Sequence, residues 1–201
     1  MRDAENILSV ASLAPQYLGF IFYTKSPRFV GDDFKIPSGM HSSIKRVGVF
    51  VNDSNETIVK KSKSLGLDLV QLHGNETPLQ CEELKSTGLG VVKVFSIDDD
   101  FHFDNTKAYK EVVDYFLFDT KGKHYGGNAK TFDWKVLNQY DQEIPFFLSG
   151  GLSPENINSL GDILKMNIHA LDLNSGVEIS PGLKDPARIK TVVTSLKHQN
   201  S

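Results

Sequence analysis

RVGVFVNDSNETIVKKSKSLGLDLVQLHGNETPLQ, residues 46–80, contains one full period of the chain's pattern. An apolar run at 46–51 gives way to Asp53 and Glu56, spaced as an acidic form of the capping box, ahead of Ile58, Val59 and a segment to Leu65. Gly66 stands where a helix ends in the left-handed conformation. A second apolar run follows at 67–72. Runs this short, rich in Val, Ile, Leu and Phe, are strands covered on both faces. Two such strands joined through a helix run parallel.

The pattern repeats outward from this unit. Further apolar runs lie at 17–22, 90–95, 115–119, 145–149 and 168–173, which makes seven in all. Thr77-Pro78, Ser153-Pro154 and Asp185-Pro186 each place a capping residue before a proline suited to the first helical position, and Gly88 marks another helix end. About eight helical segments are expected. The first, 3–14, carries Ala4, Ile7, Leu8, Ala11 and Ala14 on one face. Residues 31–43, with Pro37, Ser38 and Gly39, predict a short or irregular connection. Strand–helix alternation implies a parallel sheet, open or closed into a barrel. A (β/α)8 TIM barrel needs a strand before its first helix. The expected fold is therefore an α/β (β/α)8 barrel lacking its first β-strand, with seven strands recognisable, or else an open sheet.

The 201 residues carry no low-complexity linker and read as one domain. A net charge of −3 spread over 23% charged residues excludes the basic stripe of a nucleic-acid binder. Hydrophobic content of 39%, with 13 Phe, is enough for a core. One cysteine, Cys81, excludes a disulfide framework and a Cys-based zinc site. It lies within a helix beside Glu82 and Glu83, whose charges would raise the thiol pKa, and reads as structural. No apolar run approaches the roughly 18 residues of a membrane span. Residues 1–6 have no signal-peptide character. A soluble cytoplasmic protein, without nucleic-acid or membrane partners, is expected.

Ligands of parallel α/β proteins meet the carboxyl ends of the strands, and those ends carry polar residues here. After the first strand comes TKSPRFV, residues 24–30, where Arg28 on a proline-stiffened loop is either a bidentate carboxylate clamp or a solvated loop charge. The third strand ends in His73-Gly74, a ligand donor or a packed histidine. The fifth ends in Phe118-Asp119. A carboxylate directly after four apolar residues is expected to be desolvated, which suits a proton donor near neutral pH, and the alternative is a loop cap. The sixth and seventh strands lead into Gly150-Gly151 and into Asp172 followed by Asn174-Ser175-Gly176. Glycine loops after the last two strands are where many barrels of this class bind a substrate phosphate.

These stretches together resemble the phosphoribosylanthranilate isomerase family of tryptophan biosynthesis. The matching strings, in the family's order along nearly the whole chain, are GFIFY (19–23) with KSPR (25–28), RVGVFVN (46–52), VQLHGNE (70–76), FDTK (118–121) and KTFDW (130–134). They continue with LSGGL (148–152), PEN (154–156), SGVE (175–178), SPG (180–182) and KD (184–185). The resemblance implies an Amadori rearrangement of N-(5-phosphoribosyl)anthranilate to 1-(2-carboxyphenylamino)-1-deoxyribulose 5-phosphate, without cofactor or metal. It implies that Asp119 is the general acid and that Arg28 partners the anthranilate carboxylate. Gly150, Gly151, Ser175 and Gly176 would form the phosphate site, with His73 and Asp172 lining the mouth. The partner implied is a small phosphorylated substrate. Sibling phosphate-binding barrels fit less well: a synthase would need a catalytic Lys and Glu on early strands, and an epimerase several metal-ligating His and Asp.

The chain departs from the family's pattern in three places. Residues 1–6 resemble the sequence just after the family's first-strand motif, Lys-x-Cys-Gly, whose cysteine is the general base. Strand and base are thus expected to be missing from these residues, and Cys81 belongs to a different element. The family's Gly-Thr-Gly-Lys loop appears as Asn128-Ala129-Lys130 after Gly126-Gly127, and Asn174 replaces the more usual Ser. The expectation is a family member with impaired isomerase activity. Its alternative is a remnant or truncated gene model that binds phosphorylated ligand without turnover. Open edges at 17–22 and 168–173 would favour self-association or aggregation.

Overall fold

The computed structural model describes residues 1–120 and 134–199. Lys121, the Asn128-Ala129-Lys130 loop and residues 131–133 of the KTFDW string lie outside the described residues.

All seven expected strands form one parallel sheet, ordered β1 to β7 along the chain. They are β1 Tyr17–Ile21, β2 Lys45–Phe50, β3 Leu69–Leu72, β4 Gly90–Ile97, β5 Tyr115–Thr120, β6 Phe146–Ser149 and β7 Ile168–Leu171. The helix α1 Ala4–Ala11 precedes them, α2 Asn55–Leu65 and α3 Pro78–Ser86 lie between them, and α4 Pro186–Gln199 follows. Among the described residues no hydrogen-bonded ladder joins β1 to β7. The two edge strands meet side chain to side chain at their amino ends, where Tyr17 Oη lies 2.6 Å from His169 Nε2. Every residue of β7 is half-buried, and Gly19 in β1 is exposed, with no atom within 4 Å of where its Cβ would stand.

Two apolar layers cover the sheet. The larger packs strand residues such as Phe20, Phe50, Leu72 and Phe116 against Ile7, Ile58, Leu84 and Val192 of the helices, and all of these are fully buried. Each such side chain contributes roughly 1.5–3 kcal/mol of hydrophobic stabilisation. The smaller layer comes from strands alone: Val47, Leu69, Val92, Val94, Leu117 and Phe147, with Tyr17, Tyr115 and Ala170 against them. Side chains alternate faces along a strand. Two residues beyond this inner layer, the same parity therefore carries Asp119 after Leu117, Ser149 after Phe147 and Asp172 after Ala170. Continuing past Leu69 and Gln71, it reaches His73.

Several boundaries differ from the sequence expectation for local reasons. α1 stops at Ala11, not Ala14, because Ala14 takes a left-handed φ of 52° ahead of Pro15. The Asp3 carboxylate caps it by accepting from the Asn6 N–H at 2.8 Å. The cap of α2 is Ser54, not Asp53: its Oγ accepts from the Thr57 N–H at 3.3 Å. Asn52 turns the chain with φ 57°, so the helix is entered one residue later. Thr77 and Gln80 form a full capping box on α3, and Asp185 caps α4 through the Ala187 and Arg188 N–H groups. Ser153-Pro154 does not start an α-helix. Ser153 N–H donates to Asn156 Oδ1, and the following segment, Ile157–Lys165, is a 3-10 helix broken at Gly161. The segments Phe103–Val112, Trp134–Gln139 and Ser175–Val177 are also 3-10. A short antiparallel hairpin, β8 Glu178–Ser180 with β9 Leu183–Lys184, was not expected. Its turn holds Pro181 and then Gly182 at φ 87°, the residue types a type II turn selects.

Candidate active site at the carboxyl ends of the strands

Asp119, the last inward-facing residue of β5, lies with its Oδ2 3.5 Å from His73 Nε2 just past β3. Their side chains retain 31% and 33% exposure, so both are partly covered. The buried carboxyl is Asp172, after β7. More than half of its surface is covered, and desolvation pushes its pKa above the usual carboxylate range; Lys184 opposes the shift and Asp119 adds to it. Asp172 thus interacts electrostatically with His73 and Asp119 on one side and Lys184 on the other. Lys184 in turn feels Glu178 and Arg28. The expected mouth residues form one continuous electrostatic cluster.

Arg28 is not a solvated loop charge. Its loop is held beside β1 by a bridge between Ile21 and Phe29. Its guanidinium grips Glu178 side-on, Nε at 3.0 and 2.9 Å from the two carboxylate oxygens and Nη2 at 2.7 Å from Oε2. The Glu178 Oε1 also accepts from Lys184 Nζ at 2.9 Å and from the Gly182 N–H at 3.0 Å. Burial alone would raise the Glu178 carboxyl, but the Arg28 and Lys184 hydrogen bonds outweigh it and the net shift is downward. Asn174, noted in the sequence only as a departure, accepts twice from Lys184 Nζ, at 2.6 Å through Oδ1 and at 3.0 Å through its carbonyl.

The two glycine loops meet. Gly150 and Gly151 take φ values of 109° and 68°, a region open to glycine. Gly176 packs so closely on the chain after Gly151 that a Cβ there would overlap the Leu152 carbonyl and crowd Ser153. Arg188 of α4 donates from Nε and Nη2 to the Gly176 carbonyl at 3.1 and 2.9 Å. Ser175 is exposed beside this contact.

Sequence reading missed three charged residues around the site. Lys184 and Glu178 lie on the unexpected hairpin, and Lys93 interrupts the apolar run of β4. A lysine inside GVVKVF is itself a signal, since a charge in a doubly covered strand requires a partner. That partner is Glu76, 3.0 Å away and as buried as Lys93. Cys81 lies buried in α3. Burial lifts its thiol pKa to about 11, Lys93 opposes this, and the carboxylate that adds to it is Glu76, not Glu82 or Glu83. The described residues contain no group of three or more His, Cys, Asp or Glu placed to hold a metal ion. No described helix is long and apolar enough to cross a membrane.

A parallel α/β sheet of barrel type with polar groups gathered at its strand ends has the architecture of a (β/α)-barrel enzyme. The family model for N-(5'-phosphoribosyl)anthranilate (PRA) isomerase matches residues 1–195. The isomerase of Phocaeicola vulgatus is 43% identical over 199 residues, covering 99% of this chain and 96% of that protein. The enzyme of Parabacteroides distasonis is 43% identical over 201 residues, covering 98% and 91%. Among solved structures, a phosphoribosylanthranilate isomerase in complex with reduced 1-(o-carboxyphenylamino)-1-deoxyribulose 5-phosphate superposes with a TM-score of 0.84 at 30% identity, covering 98% of this chain and 95% of that one. The Thermotoga maritima isomerase gives 0.83 at 32% identity, covering 98% and 96%. The chain belongs to the PRA isomerase family, enzymes of tryptophan biosynthesis.

Proposed function

We propose that this chain carries out the Amadori rearrangement with Asp119 as the general acid. Asp119 protonates the furanose ring oxygen, the C1–O bond breaks, and a Schiff base forms. Loss of the C2 proton gives an enolamine, which tautomerises to the ketone. Arg28 holds the anthranilate carboxylate, and the phosphate sits against Gly150, Gly151, Ser175 and Gly176. His73 and Asp172 line the mouth in supporting roles. The carrying observation is the His73–Asp119 contact at 3.5 Å, with Asp172 coupled electrostatically both to that pair and to Lys184. One solved relative binds a reduced form of the expected product, which supports the same ligand class here.

In this reading turnover is slow, because none of the described residues is assigned as the base for C2 and losing a general base costs ~10²–10⁴ in rate; Cys81 is buried in α3, away from the strand ends. Among the described residues the edges of β1 and β7 carry no ladder to each other, and such edges favour self-association. Three measurements test the reading: steady-state turnover, calorimetry with the reduced product analogue, and sedimentation velocity. Analogue binding with weak turnover is expected, and so is recovery when a strand ending in Lys-x-Cys-Gly is added ahead of Met1. Turnover within about tenfold of a fully active relative overturns the impairment. Absence of analogue binding in both chains overturns the site. A monomer at all concentrations overturns the edge argument.

A further inference from the structure

Resting on the isomerase reading, we infer that Glu178 and Lys184 are positioning residues that fix the Arg28 guanidinium with one donor edge turned to the ligand, and so determine specificity for a carboxylated aromatic ring. The inference follows from counting donors and acceptors. Lys184 has three N–H donors, and three acceptors surround it: the Asn174 carbonyl, Asn174 Oδ1 and Glu178 Oε1. Glu178 offers about four lone-pair sites. Its oxygens are reached by Arg28 Nε, Arg28 Nη2, Lys184 Nζ and the Gly182 N–H, so it has nothing left for a ligand. Arg28 alone retains capacity. Five donors sit on a guanidinium; the Nε and one Nη2 hydrogen face Glu178. The Nη1 pair and the second Nη2 hydrogen take no bond among the described residues.

That remaining edge is the end-on fork, which matches a carboxylate in a bidentate pair. The Arg28, Lys184 and Glu178 side chains are 22%, 9% and 5% exposed, and Glu178 takes the Arg28 guanidinium through its side-on edge, so the open edge of the cation is suited to an anion. Glu178 also blocks the alternative docking mode, because the side-on edge is already taken. The hairpin makes this arrangement local: Glu178 and Lys184 are register partners across β8 and β9. Asn6 of α1 fastens the Lys184 backbone by donating to its carbonyl at 2.8 Å and accepting from its N–H at 2.9 Å.

The test is calorimetry on the whole chain with two probes, the reduced product analogue and its counterpart with a plain phenyl ring. The wild-type chain is expected to prefer the carboxylated probe by tenfold or more. Glu178→Gln should cut that preference to less than threefold while changing affinity for the phenyl probe by no more than about threefold. Lys184→Met should lower the preference by a smaller factor. Equal losses for both probes in Glu178→Gln, or an unchanged preference, overturn the inference while leaving the isomerase reading standing. Wild-type protein that binds neither probe overturns both. Should Glu178→Gln fail to fold, Lys184→Met decides the matter: it removes one of the two cations that hold Glu178, so the preference should fall while affinity for the phenyl probe stays within about threefold. An unchanged preference in Lys184→Met then overturns the inference.

Discussion

Lys93 Nζ lies 3.0 Å from Glu76 Oε2, with 3% and 1% of their side chains exposed, directly beneath the turn that carries His73. The pair is a cross-brace between three strand ends. Lys93 on β4 also donates to the carbonyls of Leu72 and Gly74. Glu76 accepts from the backbone N–H groups of Asn52, after β2, and Gly74. Both charges thus have several partners, which a buried ion pair needs to offset its desolvation.

Removing one partner leaves the other charge buried and unpaired. Lys93→Met is expected to destabilise the chain by about 3–5 kcal/mol, while Lys93→Met with Glu76→Gln recovers part of the loss. Urea unfolding of the two variants checks this. Burial alone would raise the Glu76 carboxyl, but the Asn52 amide and Lys93 outweigh it, and its folded pKa lies below 4.5. The stabilisation is therefore fully present above about pH 4.5 and is lost as the pH falls through the lower folded value. Acid unfolding of Glu76→Gln should lack that component.

The proton donor is tested by Asp119→Asn. The amide keeps the shape and the His73 contact but cannot deliver a carboxylic proton. In the chain extended with a Lys-x-Cys-Gly strand, kcat should fall by ~10²–10⁴ with little change in affinity for the reduced analogue. A drop in affinity that accounts for the whole loss would instead make Asp119 a binding residue.

Gly176→Ala probes the meeting of the two glycine loops. The new methyl would overlap the Leu152 carbonyl, a backbone atom that cannot rotate away. Overpacking of this kind costs about 1–3 kcal/mol. The loops would be pushed apart, so affinity for inorganic phosphate should fall more than affinity for anthranilate. Thermal unfolding and phosphate competition measure the two effects separately.

The sheet was legible because each strand is a short apolar run between helix caps, and all seven runs fall within the observed strands or within two residues of their ends. Reading the carboxyl ends of the strands then named Asp119, His73 and Asp172 as candidates, and the parity of the observed inner layer puts the three on one face. What escaped the sequence depends on contacts distant along the chain. Arg28 meets Glu178 across 150 positions, and Lys93 meets Glu76 from the next strand. No local pattern encodes either pairing, although a lysine in the middle of GVVKVF shows that one must exist. Apolar spacing marks a segment as helical but does not separate 3-10 from α, and Gly161 at φ 49° breaks one segment that spacing alone would continue. The apolar residues before Asp119 point to a partly covered carboxylate there, but nothing in the sequence around Asp172 shows that desolvation raises its carboxyl.

His169 shows how the edge strands respond to acid. Its ring lies 4.2 Å, centroid to centroid, from Tyr115, and its Nε2 faces Tyr17 Oη at 2.6 Å across the β1–β7 boundary. Desolvation lowers its pKa below 6.5. The unfolded chain therefore binds a proton at this site more readily than the folded one. No penalty exists above about pH 6.5; stability then declines as the pH falls from there toward the lower folded value. Protonation would leave the half-buried imidazolium, among the described residues, without an anionic partner at the Tyr17–His169 contact between β1 and β7. His169→Gln, which retains a polar group opposite Tyr17, should flatten the stability curve across that interval without changing the response near Glu76 at lower pH. Urea midpoints recorded for both proteins between pH 5 and 8 check it, and parallel curves would show that the edge contact carries no proton-linked stability.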